Sequence, residues 1–184
     1  MASPSSKAVA LCKAVKDSDT EGVRKLLEQG ADPNEKDEHG NPPLLYASVR
    51  SLEIVKLLVD HGAGVNARSK AGITPIKMCM LTAASSIFPA AHNTVLSFLI
   101  RNGADLDNID ANGTTALEWA HTLGRQEAAK LIKNALRSRK RRAKLEAERA
   151  RRRLTDIHNT VAAKQKALNN YRPKTSLIRK NTPA

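Results

Sequence analysis

Residues 51–67, SLEIVKLLVDHGAGVNA, carry the pattern that best predicts the fold of this 184-residue chain. The first half of this stretch spaces apolar residues three and four apart, which is the pattern of a helix with one apolar face. Gly62 follows directly, and glycine ends a helix easily because it adopts the left-handed conformation without a steric penalty. The stretch therefore predicts a short amphipathic helix that stops sharply at a turn.

The same glycine recurs along the chain, each time before an alanine: Gly30-Ala31, Gly62-Ala63 and Gly103-Ala104. A second glycine follows ten residues later in every copy, at Gly40, Gly72 and Gly113. The first two copies lie 32 residues apart and the next two 41 apart, one period plus an insertion. Units of this length indicate a stacked repeat, because one unit cannot bury its own apolar face.

Each unit has the same internal order. A polar stretch typical of a hairpin tip lies between the two glycines. Pro43-Leu44, Pro75-Ile76 or Ala116-Leu117 then begins a first helix, where proline costs little. The second helices carry apolar doublets, at Leu26-Leu27, Leu57-Leu58, Leu99-Ile100 and Leu131-Ile132. We therefore expect hairpin, helix, tight turn and helix in every unit, with both members of each doublet in the core.

These motifs resemble those of the ankyrin-repeat family. GNPPLLYA (40–47), GITPIKMC (72–79) and GTTALEWA (113–120) are similar to the family's G-x-T-P-L-H-x-A start. The resemblance covers about residues 8–133 and implies an all-α ankyrin-repeat solenoid with a concave protein-binding face. The family's histidine position holds Cys12, Leu45, Lys77 and Glu118, so its usual histidine hydrogen-bond network is expected to be missing.

We expect an N-terminal extension at 1–7 and four repeats, of which the outer two are atypical. The repeats are placed at about 8–36, 37–69, 70–109 and 110–133. In the third repeat the first helix is expected to end near Leu81 and the second to begin near Asn93, which leaves an insertion at 81–93. Ile87 and Phe88 have no role in the repeat, so this loop either folds back or contacts a partner protein.

Charge divides the chain. Residues 1–133 hold 15 Lys/Arg and 15 Asp/Glu, whereas residues 134–184 hold 16 Lys/Arg and 3 Asp/Glu. Residues 125–172 contain neither glycine nor proline, which predicts a long basic helix at 134–172 and an extended C-terminal arm at 173–184. An apolar stripe alternating by four and three residues is strongest at Leu154, Ile157 and Val161. It predicts a contact with a protein partner, the alternative being a solitary helix with chance periodicity.

The basic residues of this tail predict a contact with an acidic polymer surface, either RNA or an acidic protein such as tubulin. The candidates are Arg137, Arg139, Lys140, Arg141, Arg142, Lys144, Arg149, Arg151, Arg152 and Arg153. The run 139–144 also resembles a nuclear localisation signal. Tyr46 and Trp119 share one position in their repeats, where they are either packed residues or contact points for a partner protein.

No sequence pattern predicts catalysis. The histidines and two cysteines lack metal-ligand spacing, and no nucleotide-binding motif is present, so we expect no cofactor, metal, enzyme activity, small-molecule substrate or membrane span. The sequence favours a scaffold or adaptor on a large assembly, a ribonucleoprotein or a microtubule or axoneme. The alternative is a soluble regulatory binding module with a nuclear signal. A cytoplasmic or cytoskeletal location is expected, a nuclear one is the alternative, and a mitochondrial one is less expected.

Overall fold

The computed structural model describes residues 5–83, 89–110 and 112–170. These residues form helices and loops without a strand, which confirms the all-α class. The helices are α1 (Ser6–Lys16), α2 (Thr20–Glu28), α3 (Pro43–Ala47), α4 (Leu52–Asp60), α5 (Pro75–Ala83), α6 (Pro89–Arg101), α7 (Ala116–Thr122) and α8 (Gln126–Asn170). The predicted C-terminal arm at 173–184 lies outside the described residues.

The repeats stack in two layers. The first helices α1, α3, α5 and α7 pack side by side in chain order, and the second helices α2, α4 and α6 form the other layer. Helix α1 begins at Ser6, inside the stretch expected to precede the repeats, because the Ser5 hydroxyl accepts the backbone N–H of Ala8 and caps it. Within the stack, the packing of α1 to α7 buries a shared apolar core.

Glycine ends the second helices as the sequence predicts. Gly30 and Gly62 have φ angles of +81° and +91°, a region that a side chain would strain. The following N–H groups reach back into the helix, from Ala31 to the Leu26 carbonyl at 3.0 Å and from Ala63 to the Leu58 carbonyl at 2.8 Å. This pattern satisfies carbonyls that the helix end would otherwise leave unpaired.

The apolar doublets are not equally buried. Leu58 is fully buried, whereas Leu57 beside it is half-buried at the edge of the core. In the first repeat Leu27 is buried and Leu26 is half-buried. The expectation that both members lie in the core is therefore wrong, because neighbours on a helix point about 100° apart and only one can face the adjacent layer.

The third repeat absorbs part of its insertion into longer helices. Helix α5 continues to Ala83, past the expected end near Leu81, and α6 begins at Pro89 rather than near Asn93. Helix α6 spans 13 residues, against nine in α2 and α4. The candidate contact residues Ile87 and Phe88 lie outside the described residues.

The chain divides into two compact units, Met1–Arg137 and Ser138–Ala184. Helix α8 begins in the first unit, where Ala128, Ala129 and Ile132 are buried in the repeat core. The described part of the second unit, 138–170, is helical and almost entirely exposed. Throughout the described ranges, every helix is too short or too polar to cross a membrane.

Candidate functional site

Two aspartates close the hairpin tips of the second and fourth repeats. Asp37 accepts the backbone N–H groups of His39 at 3.1 Å and Asn41 at 3.0 Å. Asp110 accepts those of Asn112 at 2.9 Å and Thr114 at 3.0 Å. In both cases one carboxylate oxygen binds the loop backbone, which leaves the other oxygen for a second partner.

That second partner is the aromatic residue nine positions later. The Tyr46 hydroxyl donates to Asp37 at 2.8 Å, and the Trp119 indole N–H donates to Asp110 at 2.7 Å. Each aromatic thus ties its first helix to the hairpin tip of its own repeat. Both rings are half-buried, so they are packed residues with part of their surface exposed. Their contact with a partner protein stays a prediction.

A lysine from the preceding repeat completes each cluster. Lys16 lies 3.0 Å from Asp37 and 4.2 Å from the centroid of the Tyr46 ring, a cation–π distance. Lys77 lies 3.7 Å from Asp110 and donates to the Thr114 carbonyl at 2.7 Å. These contacts join adjacent repeats where the family's histidine network was expected to be missing.

The pKa values of the clusters follow from these contacts. The hydrogen bond from Trp119, followed by that from the Thr114 N–H, lowers the pKa of Asp110 to about 2. Burial lowers the pKa of Lys77, and the charge of Asp110 opposes this effect. Burial alone would raise the pKa of Asp37, but its hydrogen bonds from Asn41 and Tyr46 outweigh burial and lower it. Both carboxylates are therefore ionised at neutral pH.

The Trp119 cleft is a cavity of about 340 Å³ at the hairpin and first-helix side of the third and fourth repeats. It is lined by Ile73, Leu81, Trp119, Lys77, Asp110 and Asn112, among others. Lys77 is only 1% exposed, so its charge is almost fully covered. Because the lysine charge is covered, Ile73 and Leu81 give the cleft an apolar wall, and the hydrogen bond to Asp110 holds the indole ring of Trp119 in place. Such a surface is suited to a large side chain of a partner protein.

Two asparagines bridge successive repeats and were not among the sequence candidates. Asn34 donates to the Gly62 carbonyl at 3.0 Å and accepts the Gly64 N–H at 2.7 Å. Asn66 makes the same pair of bonds with Gly103 and Asp105, at 3.2 and 2.7 Å. Their common position, three residues after each Gly-Ala alanine, is a repeat feature that could have identified them.

Arg125 also joins separate parts of the first unit. Its guanidinium donates to the Cys79 carbonyl at 2.6 Å and to the Asn93 side chain at 3.3 Å. The Cys79 thiol in turn donates to the Ser48 carbonyl at 3.2 Å. These contacts cannot be predicted from local sequence patterns, because the residues that they join lie 31 to 46 positions apart.

The tail candidates are accessible on α8. The predicted protein contacts Leu154, Ile157 and Val161 are 66%, 60% and 58% exposed. Of the ten polyanion candidates between 137 and 153, Arg139 is half-buried and the others are exposed. These cations lie around most of the circumference of the helix and leave free the sector that holds Ala143, Ala147 and Ala150.

The described residues contain no group of three or more His, Cys, Asp or Glu side chains that could hold a metal ion. Burial raises the pKa of the Cys12 thiol to about 11 and that of Cys79 to about 12. Since the thiolate is the nucleophile and the metal ligand, these cysteines act as small packing residues.

Comparison with known proteins identifies the repeats. The family model described as Ankyrin repeats (3 copies) matches residues 5–69. The chain is 31% identical over 125 residues to mouse cyclin-dependent kinase 4 inhibitor B, covering 66% of this chain and 88% of that protein. It is 32% identical over 118 residues to human cyclin-dependent kinase inhibitor 2A, covering 62% of this chain and 69% of that protein.

A third relative is a much longer protein. The chain is 32% identical over 141 residues to the E3 ubiquitin-protein ligase KEG of Arabidopsis thaliana. The match covers 72% of this chain but spans only 8% of the length of that ligase. Proteins with such different names share the repeats, so the resemblance identifies a binding architecture rather than one activity.

Proposed function

Because the chain belongs to the ankyrin-repeat family, whose members are typically non-enzymatic binding proteins, we propose that it is an adaptor with two attachment regions. The repeats bind a protein partner at the hairpin and first-helix side, centred on the Trp119 cleft. The basic segment, residues 137–153, attaches the chain to an acidic surface of a large assembly. A ribonucleoprotein and a microtubule or axoneme are the two contexts that fit such a surface.

The observation that carries the proposal is the location of the charge. Residues 137–153 hold ten Lys/Arg and two Glu, and nine of the ten cations are exposed on α8. The repeats at 1–133 are neutral, so long-range attraction to a polyanion comes from the tail. The repeats therefore supply an apolar binding surface, and the basic segment supplies the positive charge.

Salt dependence tests the attachment. Changing residues 139–142 to alanine removes four charges, so the slope of log affinity against log salt becomes shallower by up to about four units if all four contact phosphates. The control variant removes four exposed charges from the repeats, at Lys56, Arg68, Lys70 and Arg101. We expect co-sedimentation with the assembly to weaken in the first variant alone. Equal loss in both variants would show that net charge, rather than this segment, governs attachment.

Nuclease treatment then separates the two contexts. Release of the native protein from its large complex after RNA digestion supports a ribonucleoprotein. Retention on the complex after complete digestion supports an acidic protein surface. A native protein that sediments alone at low salt contradicts the adaptor proposal as a whole.

A second candidate function rests on the extent of one match. The chain covers 88% of a mouse protein whose name is that of a kinase inhibitor, so the match extends over nearly the whole length of that protein. In this alternative the repeats inhibit or tether one soluble partner, and the run 139–144 directs nuclear import. Capture of one stoichiometric partner that does not depend on the basic segment, together with no co-sedimentation, favours this alternative.

A further inference from the structure

The second unit carries an apolar stripe that the basic segment does not explain. The stripe consists of Leu154, Ile157, Val161 and Leu168, which are 66%, 60%, 58% and 68% exposed. They follow the four-and-three spacing of a coiled-coil seam, and Lys164 occupies the one seam position between Val161 and Leu168. Four large apolar side chains in one row favour burial against another helix.

The charge of the helix argues against a second copy of this chain as the occupant. Residues 138–170 hold eleven Lys/Arg and three Asp/Glu, a net charge of +8, which pairing would bring together with an equal charge. In a parallel pair, Lys164 would face its own equivalent across the seam. A lysine at a seam position reduces stability and restricts the choice of partner.

The positions that flank the stripe also lack acid. Beside the stripe itself these positions are Arg153, His158, Thr160, Gln165 and Ala167, and Glu146 is the nearest acidic residue at such a position, before the stripe begins. In coiled coils these flanking positions form the interhelical salt bridges that select the partner. In a parallel self-pair Arg153 would face His158 of the other copy rather than a carboxylate, whereas an acidic helix would offer it one.

We propose that the apolar stripe packs against an acidic amphipathic helix of a different protein, with Lys164 opposite a carboxylate of that helix. The proposal deepens the adaptor function, because it gives the tail a specific protein contact beside its general attraction to acid. Lys164 is then a specificity residue: it disfavours a second copy of the chain and selects the acidic partner. RNA does not fit this contact, because a phosphate backbone offers no apolar seam to cover the stripe.

The test uses the purified full-length chain and three synthetic helical peptides of four heptads. The first has Leu and Ile in its seam, Glu at its flanking positions and Glu opposite Lys164. The second keeps the acidic residues and replaces the seam with serine, and the third keeps the seam and replaces every Glu with Lys. We expect the first peptide to bind at least tenfold more tightly than either control at physiological salt, measured by fluorescence anisotropy. Equal binding of the first and second peptides would overturn the proposal, since charge alone would then suffice.

Variants of the chain test the stripe directly. Changing Leu154, Ile157 and Val161 to serine should weaken binding of the first peptide at least tenfold. A control chain carries three serines on the outer face of the same helix, at Asn159, Ala162 and Ala163, and should bind as the wild type does. Circular dichroism of the two variants shows whether both changes reduce the helix content by the same amount. Equal weakening in the two variants contradicts a role for the stripe.

Lys164 provides a charge-swap test. The Lys164→Glu chain should lose affinity for the first peptide and regain it for a version with Lys at the facing position. Failure of this exchange would overturn the assignment of Lys164. A wild-type dimer in light scattering at 50 µM that the triple-serine change abolishes would identify a second copy as the occupant and overturn the proposal. The proposal would also be overturned if the wild-type chain bound a single-stranded RNA 20-mer and the triple-serine change abolished that binding.

These outcomes are independent of the test of the adaptor function. If the peptide does not bind while the native protein still co-sediments with its assembly, the adaptor function stands and the stripe inference fails. If the peptide binds while co-sedimentation is absent, the stripe inference stands without the assembly.

Discussion

Replacing Leu58 with alanine tests whether the core lies where the structure places it. Leu58 is fully buried in α4 and packs in the central apolar cluster, whereas its neighbour Leu57 is half-buried. Removing a buried leucine side chain costs about 2–5 kcal/mol of unfolding free energy. For Leu57→Ala we expect roughly 1–2 kcal/mol, because a side chain that stays partly exposed gains only part of the 1.5–3 kcal/mol transfer free energy of burial.

The assay is urea unfolding followed by the fluorescence of Trp119, the one tryptophan of the chain. This probe reports the repeats, whereas far-ultraviolet circular dichroism would also report the exposed helix of the second unit. With a slope of about 2 kcal/mol per molar urea, a loss of about 3 kcal/mol moves the midpoint by about 1.5 M. A cost at Leu57 that equals or exceeds the cost at Leu58 would refute this assignment of the core face.

Three further outcomes follow from named contacts. Asp110 has a pKa of about 2 against an ordinary 3.8, so its contribution to stability is present above pH 4 and is lost as pH falls towards 2; Asp110→Asn should flatten this part of an acid-unfolding curve. A chain ending at Arg137 should match the full chain in its fluorescence-detected urea midpoint, whereas one ending at Lys133 should be less stable because it lacks Leu136, which packs against the core. The Cys79 thiol has a pKa of about 12 and is fully buried, so iodoacetamide should modify it only after urea unfolding, as mass spectrometry would show.

The helices, and those ends that a glycine or a proline sets, could be predicted from the sequence because their determinants are local. Gly62 ends α4 through its own φ angle, and Pro43 and Pro75 begin α3 and α5 at a position where proline is tolerated. The repetition of these residues at fixed offsets then identified the family. The relative burial of Leu57 and Leu58 could not be predicted, because two adjacent leucines are equally apolar and the sequence does not show which of them faces the adjacent layer.

Apart from the bridges that Asn34 and Asn66 make, the contacts between repeats could not be predicted, because they join residues distant in sequence without a repeated position. Lys16 binds Asp37 across 21 residues, and Arg125 binds the Cys79 carbonyl across 46. In the sequence, such a lysine or arginine cannot be distinguished from a surface residue, because only the folded structure places it beside its partner. Lys77 stands at the position of a family histidine, and its buried ammonium donates to the Thr114 carbonyl, which gives this replacement a physical reason.

The differences among the hairpin tips indicate which cleft residues should be altered to study partner binding. Where the second and fourth tips have aspartate, the third has Ser69, whose hydroxyl accepts the Ile73 N–H at 3.1 Å. Asp110 and Trp119 hold the fourth tip together, so changing either would disturb the loop and any bound partner at once. Ile73 and Leu81 line the same cleft as half-buried apolar residues. Substitutions at these two positions would therefore change the apolar wall while leaving the carboxylate contacts of the fourth tip in place.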